Sequence, residues 1–185
     1  MDIKKDFNKN YGKWFVNDVL KAIRKYSLIE EGEEVCVALS GGKDSITLLF
    51  ILYYINRYSY LKFDLSAIHV KIAEYDTNLL QELCNTLEVK YFEELLNIKN
   101  KSLDDNICYL CARLKRGVIS KFLENKKIRK IAYGHHANDV AETFFMNIIQ
   151  YKKLGSFSPK VEFTDNSMIM IRPMIYLEED TIRSI

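Results

Sequence analysis

The segment Ser40–Ser45, Ser-Gly-Gly-Lys-Asp-Ser, has the residue types and spacing best suited to binding a phosphate. It follows the apolar run Glu34–Leu39, which predicts a buried strand, and it opens Asp44–Asn56, which predicts a helix. Backbone N–H groups and the positive end of the helix dipole meet at such a junction and favour an anion. Gly41 and Gly42 let the backbone come close and are expected to take positive φ.

Polar side chains of the same turn add donors and a candidate metal ligand. The hydroxyls of Ser40 and Ser45 and the ammonium of Lys43 can donate to phosphate oxygens. Asp44 places a carboxylate beside that anion, which favours a Mg²⁺ ion bridging the two. Lys43 is followed by Asp, and no G-x-G-x-x-G occurs, so Walker and dinucleotide-binding loops are excluded. A well-capped turn without a ligand is the alternative.

Two histidines, His135 and His136, follow Gly134 and the apolar run Lys130–Tyr133, which predicts a strand. They lie at the carboxyl end of that strand, the edge where open α/β sheets bind ligands. We therefore expect them to face the same crevice as Ser40. Loop histidines that only cap the next helix are the alternative.

Three further polar side chains, Asp139, Glu142 and Thr143, fall in the first turns of the predicted helix Asn138–Lys152. Asp139 is expected to reach Mg²⁺ or the reacting nucleotide. Because a helix dipole also favours an acid in the first turn, a purely structural role is the alternative. Glu142 and Thr143 fit either role.

The four cysteines divide into two kinds. Cys108 and Cys111 are three apart at the start of the predicted helix Ala112–Asn125, so both sulfurs can point to one side, and the helix terminus favours the thiolate. Such a pair binds zinc or an iron–sulfur cluster, forms a redox disulfide, or has no function. Cys36, in a buried strand, and Cys84, among leucines, are expected to be small core residues.

Positive charge is concentrated in Lys99–Lys130, which holds ten Lys or Arg residues and three acids, whereas the whole chain carries +2. Such a stretch suits RNA, and a solvated helix face is the alternative. Arg113 and Arg116 are expected to contact phosphates. Lys115, about one helical turn after Cys111, can point at the substrate. The aromatic residues form no regular stripe, so no base-stacking platform is inferred.

Apolar runs alternate with helical patterns along the chain, which predicts an α/β, doubly wound fold with a mostly parallel five-stranded sheet and helices on both faces. A chain of 185 residues allows one compact domain. We divide it into an N-terminal helical segment, 1–33, and a nucleotide-binding domain, 34–185. The predicted strands are Glu34–Leu39, Leu65–Ile72, Val89–Phe92, Lys130–Tyr133 and Met168–Arg172. The predicted helices are Asn8–Tyr26, Asp44–Asn56, Asp76–Leu87, Ala112–Asn125, Asn138–Lys152 and Glu178–Ile185.

Composition excludes several classes of protein. Apolar residues make up 48% and charged residues 28% of the chain, which excludes a disordered protein. No apolar run approaches the roughly 18 to 20 residues that a membrane span needs. The charged N-terminus leads into no apolar signal core, so we expect a cytoplasmic protein.

Three motifs, in this order, resemble those of one family. Ser40–Ser45 resembles the pyrophosphate loop of the PP-loop ATPases, which split ATP into AMP and pyrophosphate to adenylate a substrate. Cys108–Gly117 resembles the cysteine motif of the tRNA 2-thiocytidine synthetases (TtcA type), and Gly134–Thr143 resembles the second signature of the tRNA-acting branch. Arg172-Pro173 falls where that family has an Arg-Pro segment.

The resemblance implies an ATP-dependent tRNA-cytidine sulfurtransferase. It would adenylate the C2 oxygen of an anticodon-loop cytidine, release pyrophosphate and introduce sulfur to give 2-thiocytidine. The implied cofactors are ATP, Mg²⁺ and a 4Fe-4S iron–sulfur cluster, and the implied partners are tRNA, a sulfur donor such as a cysteine desulfurase or sulfide, and a second copy in a homodimer. The implied site residues are Asp139, Lys115, Cys108 and Cys111 for catalysis, Ser40, Gly41, Gly42, Lys43, Asp44, Ser45, Gly134 and His135 for the nucleotide, Cys108 and Cys111 for the cluster, and Asp44 for Mg²⁺.

The sequence departs from the family pattern at two points. Asn138 stands where the family usually has an acid, so Asp139 alone can serve there as a carboxylate. No cysteine follows Arg172, whereas the family has a third cluster cysteine beyond this segment, so we expect a truncated form or an incomplete cluster site. Other PP-loop tRNA modifiers, of the 2-thiouridine or lysidine type, and a regulatory domain that has lost catalysis are the alternatives. The lysidine type is disfavoured because it has no use for C-x-x-C.

Overall fold

The computed structural model of the chain describes residues 14–72, 77–96, 107–163 and 168–184, and the side chains of all of these except 14, 15 and 107–110. The strands are β1 (Glu34–Ala38), β2 (Asp64–Lys71), β3 (Lys90–Leu95), β4 (Lys130–Ala132), β5 (Lys160–Glu162) and β6 (Ile169–Ile171). The helices are α1 (Trp14–Tyr26), α2 (Lys43–Tyr58), α3 (Asn78–Thr86), α4 (Ile107–Lys126), α5 (Ala137–Tyr151) and α6 (Glu179–Arg183).

The six strands form one sheet in the order β3-β2-β1-β4-β6-β5. Neighbouring strands are parallel except for β5, which runs antiparallel to β6 with Val161 opposite Met170. The predicted α/β class and mostly parallel sheet are confirmed. The predicted count of five strands is wrong, because β5 is a three-residue edge strand, partly exposed and without an apolar run to mark it.

β1 lies at the centre of the sheet, and its Val35, Cys36 and Val37 are fully buried. The chain builds outward from β1 to β2 and β3 and then crosses to β4 on the other side of β1. The strand order therefore reverses between β1 and β4. Open α/β sheets bind ligands beyond the carboxyl ends of strands at such a switch point.

Two apolar clusters cover the two faces of the sheet, as the doubly wound prediction requires. One contains Val19 of α1 together with Leu48 and Leu52 of α2. The other contains Phe122 and Leu123 of α4, packed against β2 and β4. Helix α1 thus shares its core with the sheet, although residues 8–13 of the predicted first helix lie outside the described residues.

Two cysteines lie in the core, as predicted. Cys36 is fully buried, and burial raises the pKa of its thiol to about 12. Burial likewise raises the pKa of the fully buried Cys84 to about 11. Both thiols are therefore protonated at neutral pH and unsuited to metal binding.

Within the ranges that the structure describes, we find no helix both long and apolar enough to cross a bilayer.

Candidate functional site

The turn after β1 is held closed by its two serine hydroxyls. Ser45 Oγ accepts hydrogen bonds from Ser40 N at 3.1 Å and Ser40 Oγ at 3.0 Å, and it donates to Gly42 O at 2.9 Å. Gly42 N donates to Ser40 Oγ at 3.3 Å. These bonds wrap the backbone around the amino end of α2, where the first-turn N–H groups have no acceptor within the helix.

The two glycines of this turn have different roles. Gly41 has φ +87°, the left-handed region that favours glycine. Gly42 is the N-cap of α2 with φ −77°, which any residue can adopt. The expectation of positive φ at both glycines is therefore wrong for Gly42. A Cβ added at Gly42 would lie 3.5 Å from Ser40 Oγ, an ordinary van der Waals contact, so neither the backbone angle nor the packing requires glycine there.

Lys43 and Asp44 pair with each other at the start of α2. Lys43 Nζ lies 2.8 Å from Asp44 Oδ1 and 3.1 Å from Glu179 Oε1, which connects α2 to α6. Hydrogen bonds to these carboxylates raise the pKa of Lys43, and Lys43 in turn lowers the pKa of Glu179. Because all three groups are solvent-accessible, the pairs add little stability and leave Lys43 free to move toward a phosphate.

Gly134, two residues after the last residue of β4, lies directly against the turn. A Cβ atom at this position would be 2.8 Å from both the carbonyl carbon and the oxygen of Asp44, and 3.0 Å from Ser45 N. Only glycine allows the two segments to approach this closely. The expectation that the residues after β4 share a crevice with Ser40 therefore agrees with the packing.

His136 lies between two carboxylates. Its side chain is 6% exposed, and Nε2 lies 3.9 Å from Asp44 Oδ1 and 3.6 Å from Asp139 Oδ2. Asp139 Oδ2 also accepts a hydrogen bond from His136 N at 2.8 Å, which caps α5. Among the described residues, the buried His136 Nδ1 has no hydrogen-bond partner. Asp139 thus makes the helix-capping contact expected of a purely structural residue, and it also lines the candidate site.

The protonation state of His135 follows from its partner. Arg172 Nε lies 3.2 Å from His135 Nδ1. An arginine nitrogen can only donate, so Nδ1 must be the acceptor and the proton lies on Nε2. Burial, and next the nearby Arg172 charge, lower the pKa of His135. At neutral pH His135 is therefore a neutral imidazole with one N–H to donate.

Arg172 is itself held on several sides. It is buried, donates from Nη1 to Ser158 O at 2.5 Å, and lies over the Phe157 ring at 4.6 Å from the centroid. Tyr133 stacks on His135 at 5.9 Å with an interplanar angle of 14°. Tyr133, His135 and Phe157 thus form a group of rings beside the site. The sequence did not predict this group, because its aromatic residues form no regular stripe.

A cavity of about 450 Å³ lies at this edge of the sheet. Most of the predicted site residues line it: Ser40, Asp44, Ser45, Lys115, Gly134, His135 and Asp139. Sequence reasoning missed a further lining residue, His69, near the end of β2, whose Nδ1 lies 2.7 Å from Leu39 O. Its position at the carboxyl end of a strand was the signal that could have identified it.

Not every predicted residue lines this cavity. Gly41, Gly42 and Lys43 are exposed at the outer surface of the turn. Cys111 is half-buried on α4, one turn before Lys115, and the side chain of Cys108 lies outside the described residues. A larger cavity, of about 670 Å³, is lined by the first residues of β1, β2 and β3 and therefore lies at the opposite edge.

The donor atoms present fit the two implied cofactors differently. Mg²⁺ commonly takes one or two carboxylates together with substrate phosphates, and Asp44 beside the turn offers such a carboxylate. A four-iron cluster is usually held by four thiolates. Among the described residues no three His, Cys, Asp or Glu side chains could hold a metal, and Cys111 is the one described thiol of the C-x-x-C motif. These residues alone do not form a cluster site.

The basic stretch is less uniform than the sequence suggests. Arg113, Arg116 and Lys121 are exposed on α4, and Arg116 reaches the cavity. Lys130, however, is 5% exposed and pairs with Glu33, so its expected place on a basic surface is wrong. Its ammonium group neutralises a partly buried carboxylate at the opposite edge of the sheet.

Comparison with known proteins gives concordant matches. A family model described as a PP-loop domain matches residues 6–185. The tRNA-cytidine(32) 2-sulfurtransferase of Acaryochloris marina is 35% identical over 170 residues, which cover 88% of this chain and 60% of that protein. The protein of the same name from Idiomarina loihiensis is 36% identical over 186 residues, covering 97% and 62%. The chain thus spans about 60% of the length of these curated relatives.

One solved structure is similar in fold. The U34-tRNA thiolase NcsA from Methanococcus maripaludis, solved with its [4Fe-4S] cluster, matches with a TM-score of 0.72 over 92% of this chain and 61% of that one. The sequence identity is 21%, so this likeness supports the architecture alone.

Proposed function

Because this chain belongs to the PP-loop domain family, as its three motifs predicted, we propose that it is the ATP-dependent domain of a tRNA-cytidine 2-thiolation enzyme. The observation that carries the proposal is the convergence on one cavity of the turn Ser40–Ser45, the segment Gly134–Asp139 and Lys115 of α4. Two of these parts suit a nucleotide, and the third belongs to the helix that bears the C-x-x-C motif.

In the proposed reaction ATP places its phosphates on the turn Ser40–Ser45. The N–H groups at the start of α2 and the Lys43 ammonium stabilise the charge that develops on pyrophosphate. Mg²⁺ held by Asp44 would offset charge on the same phosphates. These contacts favour breaking the bond between the α-phosphorus and pyrophosphate.

The pyrimidine C2 oxygen attacks the α-phosphorus, so a C2–O–AMP adduct forms as pyrophosphate leaves. His135, a neutral donor through Nε2, and Lys115, a cation, both line the cavity, which supports assigning them to stabilise the transferring phosphoryl group. Sulfur then adds to C2 as hydrosulfide, the Asp139 carboxylate accepts its proton, and AMP departs with the original oxygen.

The sulfur step is assigned to the C-x-x-C motif. As thiolates, Cys108 and Cys111 would supply two ligands to an iron–sulfur cluster, which would hold sulfide delivered by a separate donor, so that the sulfur stays at the sulfide level throughout. We assign tRNA phosphate contacts to Arg113, Arg116 and Lys121, which are exposed on the same helix. A cytoplasmic location remains part of this proposal.

Pyrophosphate release that depends on both ATP and tRNA tests the adenylation step. We expect Lys115→Met to lower its rate by at least about 100-fold, since a cation beside a transferring phosphoryl group contributes a few kcal/mol. Lys126→Met is the matched control: it removes the same charge from an exposed position at the other end of α4, beside the opposite edge of the sheet, and should retain nearly full activity. Equal rates for the two variants would refute the assignment of Lys115.

Nucleoside mass spectrometry identifies the product. Bulk tRNA from a strain lacking this protein should lose 2-thiocytidine and regain it when the gene is returned. Loss of 2-thiouridine instead would favour the alternative PP-loop thiolase. Unchanged nucleosides, together with ATP binding but no pyrophosphate release, would favour a regulatory domain.

A further inference from the structure

Two basic, tyrosine-rich segments that are far apart in the chain meet on the outer side of α1 and α2. Residues 19–29 and 53–62 together contain five Lys or Arg residues, five tyrosines and no Asp or Glu. They are in direct contact, because Arg24 Nε donates to Tyr60 Oη at 2.6 Å and the guanidinium lies 5.1 Å from the centroid of that ring. The two segments therefore form one surface, which we call the α1–α2 surface.

Two tyrosine rings of the α1–α2 surface are open to solvent and held in place by neighbours. Tyr58 is 52% exposed and Tyr60 is 61% exposed. Tyr58 packs on Tyr54 with the ring centroids 4.9 Å apart, and Arg24 holds Tyr60 by its hydrogen bond. An exposed ring of fixed orientation suits the stacking of an unpaired base, and it accepts any base because every base has a π-face.

Two lysines of the same surface are placed over a further ring. Lys21 Nζ lies 5.4 Å and Lys25 Nζ 5.7 Å from the centroid of Tyr176, which follows β6. The hydroxyl groups of Tyr176 and Tyr26 are 3.0 Å apart, which connects this ring to α1. Both lysines are exposed, and an ammonium group has three donors. The lysines are therefore available to bind phosphate oxygens.

The α1–α2 surface is separate from both the cavity and the basic part of α4. Helices α1 and α2 contribute to the apolar cluster on one face of the sheet, whereas α4 contributes to the cluster on the other. Tyr26 precedes β1 and Tyr60 precedes β2, so the surface extends to the amino ends of the strands. The cavity lies beyond the carboxyl ends, and the five residues of β1 span about 17 Å between the two edges.

Cations and exposed rings together favour a single-stranded nucleic acid over an acidic protein. An acidic protein would use only the cations, whereas a single-stranded nucleic acid uses cations for its phosphates and rings for its bases. We infer that the α1–α2 surface binds an unpaired stretch of the substrate tRNA, outside the catalytic cavity. The identity of this RNA as tRNA rests on the proposed function, and the surface itself rests on the contacts above.

Fluorescence anisotropy of the full chain with labelled tRNA, and with a labelled single-stranded RNA of about 20 nucleotides, tests this inference. The double variant Lys21→Gln/Lys25→Gln loses two phosphate contacts, so the slope of log affinity against log salt should become shallower by about 1.4, or roughly 25-fold weaker binding at about 0.1 M salt. Lys152→Gln/Lys153→Gln is the matched control: it removes the same charge from two adjacent exposed lysines after α5 and should leave affinity and slope nearly unchanged. Circular dichroism should show both variants folded.

A ring variant separates base stacking from charge. Tyr60→Ala should weaken binding of the single-stranded RNA at least about fivefold and leave the salt slope unchanged, because it removes a stacking surface and no charge. Unchanged affinity for this variant would overturn the inference, as would a loss in the Lys152→Gln/Lys153→Gln control equal to that in Lys21→Gln/Lys25→Gln. A wild type that binds neither RNA would also overturn it and leave an acidic protein as the occupant.

Failure of the proposed function gives a different result. A wild type that binds the single-stranded RNA through Lys21, Lys25 and Tyr60, but releases no pyrophosphate with ATP and tRNA, would support the RNA surface and refute the proposed function. Pyrophosphate release with tRNA affinity equal in all the variants would do the reverse.

Discussion

Replacing Gly134 by alanine should move the turn Ser40–Ser45 and destabilise the protein. The new methyl group would lie 2.8 Å from the carbonyl carbon and oxygen of Asp44, whereas carbon atoms in contact prefer about 3.5 to 4.0 Å. The overlap is roughly 1 Å and falls on backbone atoms, which cannot rotate away. Overpacking of this kind costs about 1 to 3 kcal/mol. If the turn yields, ATP affinity should also fall by about tenfold or more, or ~1.4 kcal/mol.

Gly117→Ala is the matched control for this change. Gly117 lies within α4, and a Cβ added there meets nothing within 4 Å. Alanine should therefore stabilise the helix by about 0.5 to 1 kcal/mol. Urea unfolding should give opposite signs for the two variants, and calorimetry with ATP should separate them further. Equal unfolding midpoints and equal ATP affinity would refute the close approach of β4 to the turn.

Three further changes test other parts of the site and its support. Gly41→Ala should cost about 1 to 2 kcal/mol in urea unfolding because the residue has φ +87°. Lys130→Met should cost about 1 to 2 kcal/mol by removing the cation that pairs with Glu33, and adding Glu33→Gln should recover most of it. His135 has a lowered pKa, so its contribution to stability is present above its unfolded pKa of about 6.5 and is lost as pH falls below that value. Arg172→Met should raise the pKa of His135 in the folded protein, measured by NMR titration, because it removes the nearby positive charge.

Sequence patterns predicted those helices and strands that have an apolar periodicity within their own residues. Helix α5 was predicted as Asn138–Lys152 and runs Ala137–Tyr151, because its helical apolar residues and its start after a strand are both visible in sequence. Helix α4 begins five residues before its predicted start, since the apolar residues around Cys108 continue the helix instead of preceding it. Strand β5 was missed because its pairing with β6 depends on a neighbour, and its three residues have no pattern of their own.

The turn Ser40–Ser45 could be placed between a strand and a helix because its residue types are specific to such a junction. Contacts between segments far apart in the chain could not be predicted from the sequence. The hydrogen bond between Arg172 and His135 joins residues 37 positions apart, and it exists because β4 and β6 are neighbours in the sheet. The ion pair of Lys43 with Glu179 likewise depends on where α6 packs. Such contacts follow from strand order, which local periodicity does not determine.

Two adjacent residues connect the halves of this site. Strand β4 lies between β1 and β6, so the chain leaving it has the turn Ser40–Ser45 on one side and the Arg172 segment on the other. Gly134 makes the first contact, against Asp44, and His135 makes the second, with Arg172. Because successive residues of an extended segment point to opposite sides, a shift of one residue would place a histidine side chain against the turn and remove the donor from the cavity. The site therefore depends on the register of this pair as much as on the identity of its residues.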